Sequence, residues 1–409
     1  MKKFIIGSIG GVLLLLCVRA ATVAIAPLNI AFMRFLGAGD NIAPTISGTI
    51  LFVGYIFAVV GPMVGGWVTD KVGNRGSILI GGVTFTAAYF LWAYAVNFPL
   101  LYIYRAILAL GAGIVAVSMM SFLHATAPEG KKAAGMGLYG LGFGLGSAVG
   151  PMVASRLVPT GIREPFLFFA AACLVSLILA VLLMVVFQRN NSGKEINTED
   201  SAEKTSKSFF AGFSSFSPPL YFIFLLSLFF MFGQIAILTT ADDFGMQILG
   251  LPVGKGIMAI VAFSVTSLLQ PLGGMVGDKM GKAKAMMIGV GITALCFFGV
   301  ALNTASFGLQ LVLMAIAGLG GVLYMPNSMA LVGDLAPANL KGTALGSFQA
   351  AAGIGSATGA LISGLIYSAT SVRYVFWMAP FGVGLAFVFA YLAVVSLNKI
   401  KIEELAVAK

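Results

Sequence analysis

The chain is divided into twelve long apolar runs, and mostly short connections separate them. An α-helix needs about 20 apolar residues to cross the hydrocarbon core of a bilayer, and the runs are of that length. Charged residues make up only 9% of the chain, against roughly 25% in a soluble domain. The runs therefore predict an all-α membrane protein of twelve transmembrane helices. They cover about 4–32, 46–68, 77–97, 99–122, 135–157, 165–188, 218–240, 254–276, 284–303, 307–332, 342–368 and 372–397.

One polar segment of mixed charge, rich in Ser, Asn, Glu and Lys, follows the sixth run. Such a composition is typical of a flexible linker. It predicts an N-terminal six-helix bundle at 1–188, a cytoplasmic linker at 189–217 and a C-terminal six-helix bundle with a short cytoplasmic tail at 218–409. The apolar start of the chain continues to about Phe32 without a clear cleavage site, so we expect a retained first helix.

Most of the 24 Lys and Arg residues fall on the side of the predicted membrane that also holds both termini. Cytoplasmic connections carry this excess of positive charge. We therefore expect a multi-pass protein of the cytoplasmic (inner) membrane with both termini in the cytoplasm. The same bias accounts for most of the formal net charge of +10, and no nucleic-acid partner is needed to explain it.

The sequence predicts neither an enzyme nor a cofactor. The three Cys residues lie inside apolar runs and the chain has one His, which indicates no disulfide framework and no metal site. Gly142-Phe-Gly144-Leu-Gly146 lies within a membrane run, so it is not a phosphate-binding loop. The lack of a nucleotide site excludes an energised primary pump.

The two halves of the chain repeat each other. Gly146-Ser-Ala-Val-Gly150 recurs as Gly355-Ser-Ala-Thr-Gly359 at an offset of 209 residues, and Asp70-Lys71-Val-Gly73 recurs as Asp278-Lys279-Met-Gly281 at an offset of 208. These copies fall at equivalent places in the two six-helix halves. A parallel repeat of this kind predicts two bundles that are related by a pseudo-two-fold axis along the membrane normal.

A repeated segment resembles the loop signature of the major facilitator superfamily. Its first copy is Gly66-Trp-Val-Thr-Asp70-Lys71-Val-Gly73-Asn-Arg75, and its second copy, at 274–284, preserves the spacing of the glycines, the aspartate and the basic residue. Its glycines permit a tight turn and close approach of helices. The resemblance covers essentially the whole chain and implies a twelve-helix transporter in which this loop holds one conformational state. An ordinary positively charged loop is the alternative. The predicted gate residues are Gly66, Asp70, Lys71, Gly73, Arg75, Asp278, Lys279 and Gly281.

A second motif, Gly146-Ser-Ala-Val-Gly150-Pro151-Met-Val-Ala154-Ser155, resembles the antiporter signature of the same superfamily. Ala154 and Ser155 replace the two glycines that end the signature. The resemblance, on Gly146, Gly150 and Pro151, implies an exporter that works by exchange, as in the drug/proton antiporter-like members. The alternative is generic packing of small residues between helices.

Two arginines lie within the predicted membrane helices. Arg19 is deep in the first run, and with Pro27-Leu28 it resembles the first helix of anion-carrying members. Arg105 stands in the fourth run, where it resembles the Arg of a helix-four motif, although Leu108 and Ala109 replace the Gln-Gly of that motif. A charge in a bilayer indicates a functional site, and a guanidinium suits a carboxylate. A structural pair for Arg19, and a side chain of Arg105 that reaches the interface, are the alternatives.

No carboxylate falls in the middle of a predicted membrane helix, which argues against a dedicated pump for cationic drugs. Asp242 and Asp243, at the outer end of the seventh run, are the candidates for proton coupling, unless they only mark a helix terminus. Other polar residues are candidates for a substrate cavity or for hydrogen bonds between helices. With Arg19 and Arg105, the predicted substrate-binding set contains Asn29, Gln234, Gln270, Asn327 and Gln349.

These features predict a secondary active transporter of a small organic solute that works by alternating access. Proton-coupled efflux is the first hypothesis, and a proton-coupled importer or exchanger of a small organic anion is the alternative. A non-transporting receptor on the same fold is a third, less favoured hypothesis, because both copies of the loop motif are intact. We expect a monomer in contact with membrane lipid, with a small molecule and protons as its partners.

Overall fold

In the computed structural model, the chain is described at residues 2–126, 132–189, 216–337 and 340–407. The linker that the sequence predicts at 189–217 lies almost entirely outside these residues. The side chain of Asp70 lies outside the described part as well, although its backbone belongs to a helix.

The described residues of the N-terminal half, 2–126 and 132–189, contain five α-helices that form six membrane-crossing segments. Helix α2 crosses twice, because a turn at Gly73 (φ 73°, ψ 166°) breaks its helical geometry. The sequence predicted two runs here, and a single glycine in the left-handed region joins them without a longer loop. The helices are α1 (Lys2–Phe35), α2 (Ala43–Ala93), α3 (Phe98–Thr126), α4 (Lys132–Leu157) and α5 (Glu164–Arg189).

The C-terminal half, from Phe216 onward, repeats this arrangement. Its turn equivalent to Gly73 is Gly281, which separates two helices and has a φ of 95°. One crossing is interrupted by a 3-10 turn, Thr266–Leu269. The helices are α6 (Pro218–Gln247), α7 (Met258–Val265), α8 (Gln270–Met280), α9 (Lys282–Leu302), α10 (Phe307–Leu335), α11 (Lys341–Ala369) and α12 (Val372–Val407).

The predicted fold class is confirmed. Among the described residues, eleven helical segments are long and apolar enough to cross a membrane. Helix α4 occupies the place of the remaining run, so each half has six crossings. The described backbone is helical apart from turns and short connections.

The glycine pairs of the repeat pack equivalent helices together. A Cβ atom built on Gly146 would lie 2.6 Å from the carbonyl oxygen of Leu16, so α4 approaches α1 backbone to backbone. The same construction on Gly355 gives 2.0 Å to the carbonyl oxygen of Leu228, where α11 meets α6. Spacing of small residues by four places them on one helix face, which allows this approach. The two halves therefore share one packing arrangement.

The two halves meet at the end of the molecule opposite the chain termini, which we call the distal end. Here Thr45 Oγ1 donates to Ser368 Oγ at 2.7 Å, and a Cβ on Gly364 would lie 2.4 Å from the carbonyl oxygen of Pro44. Toward the other end, which we call the terminal end, Met63 of α2 is 70% exposed. The interface between α2 and α11 is thus closed distally and open toward the terminal end.

Candidate functional site

Arg19 projects from α1 onto one face of α4. Its Nε donates to Ser147 Oγ at 2.9 Å, and the centre of its guanidinium lies 4.0 Å from the ring centroid of Phe143. Gly146 leaves room for this side chain, because a Cβ there would lie 2.9 Å from Arg19 Cβ. A cation held against an aromatic face and one neutral hydroxyl keeps further donors available for a ligand.

Arg105 lies on α3 and is 4% exposed. Its side chain crosses α2 at Gly54, where a Cβ atom would lie 2.1 Å from Arg105 Nε. The guanidinium is 5.9 Å from the ring centroid of Tyr55, and its Nε has no hydrogen-bond partner in the part of the chain that the structure describes. Glycine at 54 is therefore what allows an arginine to lie inside this bundle.

Tyr55 lies within electrostatic range of both Arg19 and Arg105. Neither arginine forms an ion pair with any residue in the described ranges. Two guanidinium groups without a described carboxylate give this part of the N-terminal half a positive field. Such a field attracts an anion and repels a cation.

The two predicted asparagines pack helices of the same half against each other. Asn29 Nδ2 donates to Ser47 Oγ at 3.0 Å, which joins α1 to α2. Asn327 Nδ2 donates to the carbonyl oxygen of Gly273 at 3.0 Å, which joins α10 to α8. Both asparagines are buried. Their observed contacts match the hydrogen-bond role that the sequence left open beside a cavity role.

The three predicted glutamines differ in exposure. Gln234 is half-buried, whereas Gln270 and Gln349 are exposed. Gln349 lies one helical turn before Gly353, whose Cβ would lie 2.5 Å from Val59 of α2. Because residues four apart share a helix face, Gln349 faces the N-terminal half where the α2–α11 interface opens.

Asp242 and Asp243, the predicted proton-coupling pair, are both buried at the distal end of α6 but have different partners. Asp242 accepts hydrogen bonds from the backbone N–H groups of Gly254 and Gly256, at 3.0 and 3.1 Å. It therefore fastens the connection between α6 and α7 to the end of α6.

Asp243 joins the two halves. Its Oδ1 accepts from Arg34 Nη1 of α1 and from Tyr367 Oη of α11 at 3.0 Å. Tyr367 in turn accepts from Gln247 Nε2 at 2.6 Å, and Arg34 Nε lies 2.9 Å from the exposed carboxylate of Asp40. Arg34 and Tyr367 have no signal in the sequence, because each lies near a helix end and neither belongs to a motif.

The predicted gate residues lie at the terminal end of the molecule. Lys71 Nζ is 4.0 Å from the Trp67 ring centroid, and Arg75 also takes part in an interaction. Gly66 has open space where a Cβ would be, whereas Gly73 and Gly281 have positive φ values. In the second copy, Asp278 and Lys279 are exposed. The adjacent Lys282 donates to Asp334 at 2.7 Å.

The matched family model is described as the Major Facilitator Superfamily, and it matches residues 8–269 and 254–404. The chain belongs to this superfamily. Membership confirms the resemblance that the two motifs indicated, and it assigns the chain to a family of transporters rather than of enzymes.

Two relatives have names that describe different activities. Multidrug resistance protein 1 of Bacillus subtilis is 28% identical over 260 residues, which cover 57% of this chain and 64% of that protein. The oxalate:formate antiporter of Oxalobacter formigenes is 25% identical over 236 residues, which cover 56% of this chain and 54% of that protein. The chain thus aligns with less than two thirds of the length of either relative.

Solved structures share the fold. A peptide transporter POT in complex with sulfate has a TM-score of 0.76 at 15% identity and covers 96% of this chain and 94% of its own. A bacterial homologue of the human lysosomal transporter Spinster, in an inward-facing and occupied conformation, has a TM-score of 0.75 at 13% identity and covers 97% of each chain. At these identities the likeness concerns the fold alone.

Proposed function

We propose that this protein is a secondary transporter that binds a small organic anion at Arg19 and Arg105 and moves it by alternating access. The observation that carries the proposal is the pair of guanidinium groups described above, which no carboxylate neutralises among the described residues. An unpaired cation within a membrane helix is costly. A substrate anion supplies the missing charge, and a planar guanidinium binds a carboxylate through two parallel hydrogen bonds.

The open and closed ends support alternating access. The halves are packed together at the distal end and exposed along α2 toward the terminal end. This arrangement is one of the two states that such a cycle requires. With both termini in the cytoplasm of the cell, as the charge distribution predicts, the site would be open to the cytoplasm.

Proton-coupled efflux of a drug-like solute is the second candidate. The antiporter-like segment Gly146 to Pro151 and the similarity to a multidrug resistance protein support it. The packing of Gly146 and Gly150 on α1 also gives this segment a structural role. The anion site and an outward direction are compatible, since an exporter can carry an anion.

Of the two aspartates that are candidates for proton coupling, Asp243 is the one whose charge acts between the two halves. Protonation removes the negative charge that attracts Arg34 across the two halves. Asp242, by contrast, is bonded within its own half. A proton on Asp243 would therefore weaken distal closure, which is how a proton gradient can drive the change of state.

The test is exchange transport by the purified chain in proteoliposomes that are loaded with a panel of labelled mono- and dicarboxylates. Arg19→Lys should lose most of the exchange, although the charge is kept, because an ammonium cannot replace the bidentate guanidinium. Arg19→Gln should lose exchange entirely. Arg156→Gln, which changes an exposed arginine at the end of α4, is the matched control and should transport as the parent does.

Full exchange of the same anion by folded Arg19→Gln would overturn the anion site. Preference for a cationic drug, unaffected by this substitution, would favour the second candidate. A protein that binds anions but exchanges none across the membrane would favour the receptor hypothesis.

A further inference from the structure

The break between α7 and α8 lies in an otherwise apolar membrane-crossing segment, Met258–Met280. Pro271, next to Gln270 at the start of α8, explains the change of helix geometry. Proline has no N–H, and its ring opposes the carbonyl of the residue four positions earlier, here Ser267. The chain responds with a 3-10 turn at Thr266–Leu269. Such mid-helix turns frequently mark functional positions.

Ser267, in this turn, has a side-chain oxygen that is buried and has no hydrogen-bond partner within the described residues. A buried hydroxyl without a partner costs free energy comparable to a lost hydrogen bond. The neighbouring Thr266, which faces α10, donates instead to the carbonyl oxygen of Phe263 at 2.6 Å. The 3-10 turn as such therefore does not prevent a hydroxyl from finding a partner. The hydroxyl of Ser267 is unpaired because of the direction in which this side chain points.

Ser267 and Arg19 border the same face of α4. A Cβ on Gly144 would lie 3.8 Å from Ser267 Oγ, so this part of α4 faces the 3-10 turn. Gly146 faces α1, and Ser147 accepts the hydrogen bond from Arg19. Residues 143 and 147 are four apart and share one face of α4. On the helix this face lies between the side of Gly144, which faces the 3-10 turn, and the side of Gly146, which faces α1. Phe143 is exposed on it. The face of α4 that carries Phe143 and Ser147 is therefore a strip with α1 of the N-terminal half on one side and the 3-10 turn of the C-terminal half on the other.

Gln270 extends this border on the C-terminal side. In a 3-10 turn, residues three apart lie one above the other, so Gln270 is placed beneath Ser267 and nearer the terminal end. Gln270 is exposed. Together the two side chains offer donors and acceptors without charge.

We propose that Ser267 and Gln270 form the second wall of the Arg19 site, across the strip of α4 that carries Phe143 and Ser147. This inference rests on the proposed anion site and names its ligand more narrowly. The ligand is a small carboxylate with a second, uncharged hydrogen-bonding group such as a hydroxyl. Arg19 binds the carboxylate, and Ser267 binds the hydroxyl.

The wall is tested by thiol labelling, which requires no knowledge of the natural substrate. Gln270→Cys is introduced into the full chain after Cys17, Cys173 and Cys296 are replaced by Ala. The purified protein is treated with a negatively charged and a positively charged methanethiosulfonate. Arg19→Gln should lower the rate ratio of anionic to cationic reagent by about threefold or more, because it removes a nearby positive charge.

Leu268→Cys in the same background is the control. Leu268 is exposed on a different side of the turn, so its rate ratio should not respond to Arg19→Gln. The proposal that Gln270 lines the Arg19 site would be wrong if the thiol at position 270 were unreactive. It would also be wrong if Arg19→Gln left the rate ratio at that position unchanged.

The ligand class is tested by protection of the same thiol. Glycolate should slow labelling at position 270 more than acetate does, and Ser267→Ala should abolish the difference, a loss of about fivefold. Ser267→Thr, which keeps a hydroxyl, should retain it. Equal protection by both anions, or protection by neither, would overturn the hydroxy-acid assignment. Charge-selective labelling without protection by any anion would support the placement of Gln270 beside Arg19 but would contradict the proposed anion-binding function.

Discussion

Arg34 of α1 and Asp243 of α6 form an ion pair between the two halves of the protein. They are 209 positions apart in the chain, the same offset that separates Gly146 from Gly355. Residues at equivalent positions of two related halves meet where they lie near the pseudo-two-fold axis. Here an arginine of one half meets a carboxylate of the other, and Asp243 is only 2% exposed. Breaking a buried pair by removing one partner is strongly destabilising.

Asp243→Asn should weaken the distal closure by about 3–5 kcal/mol, the cost of leaving the arginine without its buried partner. Spin labels on Asn41→Cys and Thr370→Cys, in exposed positions of opposite halves at the distal end, report the separation there. After replacement of the three native Cys, their distance distribution should shift to longer values in Asp243→Asn.

Asp40→Asn is the matched control for this measurement. Asp40 contacts the same arginine at 2.9 Å, but its side chain is 85% exposed. An exposed pair contributes about 0–1 kcal/mol, so its loss should leave the distances unchanged. Equal distributions in both variants would show that the Arg34–Asp243 pair does not hold the distal end closed.

The two neighbouring aspartates should respond differently to the same substitution. In the parent protein, the Asp242 carboxylate accepts hydrogen bonds from the N–H groups of Gly254 and Gly256. In Asp242→Asn, the amide NH₂ replaces one of the two accepting oxygens, so one glycine N–H loses its acceptor. This substitution should lower the free energy of unfolding by about 1–3 kcal/mol, visible as a lower Tm, and should leave pH-driven accumulation intact. Asp243→Asn should abolish pH-driven accumulation and spare downhill exchange. Accumulation lost only in Asp242→Asn would reverse this assignment.

The sequence was sufficient for the fold because membrane helices depend on length and hydropathy, and both are local properties. The repeat of glycine motifs also predicted two related bundles. Arg19 and Arg105 could be selected from the sequence, since an intramembrane arginine is costly wherever it points. The sequence could not give their surroundings, such as the passage of Arg105 over Gly54.

The contacts between the halves were beyond the sequence for a physical reason. Arg34 and Tyr367 lie near helix ends, where polar residues are common and carry no periodic signal. Their contact with Asp243 depends on how two bundles dock, which no local pattern specifies. The 3-10 turn at Ser267, by contrast, had a signal in Pro271, inside an apolar run.

The glycines of the repeated loop motif should separate into two classes. Gly73 and Gly281 have positive φ values, so replacement by Ala should cost about 1–3 kcal/mol each. Gly66 and Gly274 have open space where a Cβ would be, and in these helical positions Ala should be neutral or slightly stabilising. Thermal unfolding of the four purified variants measures the difference. A destabilised Gly66→Ala would show that this position is packed in a state other than the one described.

Gly54→Ala should impair anion binding although residue 54 need not touch the ligand. The added methyl group would lie 2.1 Å from Arg105 Nε and 2.7 Å from its Cγ, so the whole arginine side chain must move. If Arg105 helps to bind the anion, affinity should fall by about tenfold, as expected for the loss of one charged hydrogen bond. Gly384→Ala in α12, where a Cβ meets open space, is the matched control and should bind as the parent does.

The measurement is equilibrium binding of the anion that the proteoliposome panel identifies, with Arg105→Gln alongside. Normal affinity in Gly54→Ala, together with a loss in Arg105→Gln, would mean that the arginine binds from a second rotamer. Normal affinity in both variants would leave Arg19 as the anion-binding arginine of the pair.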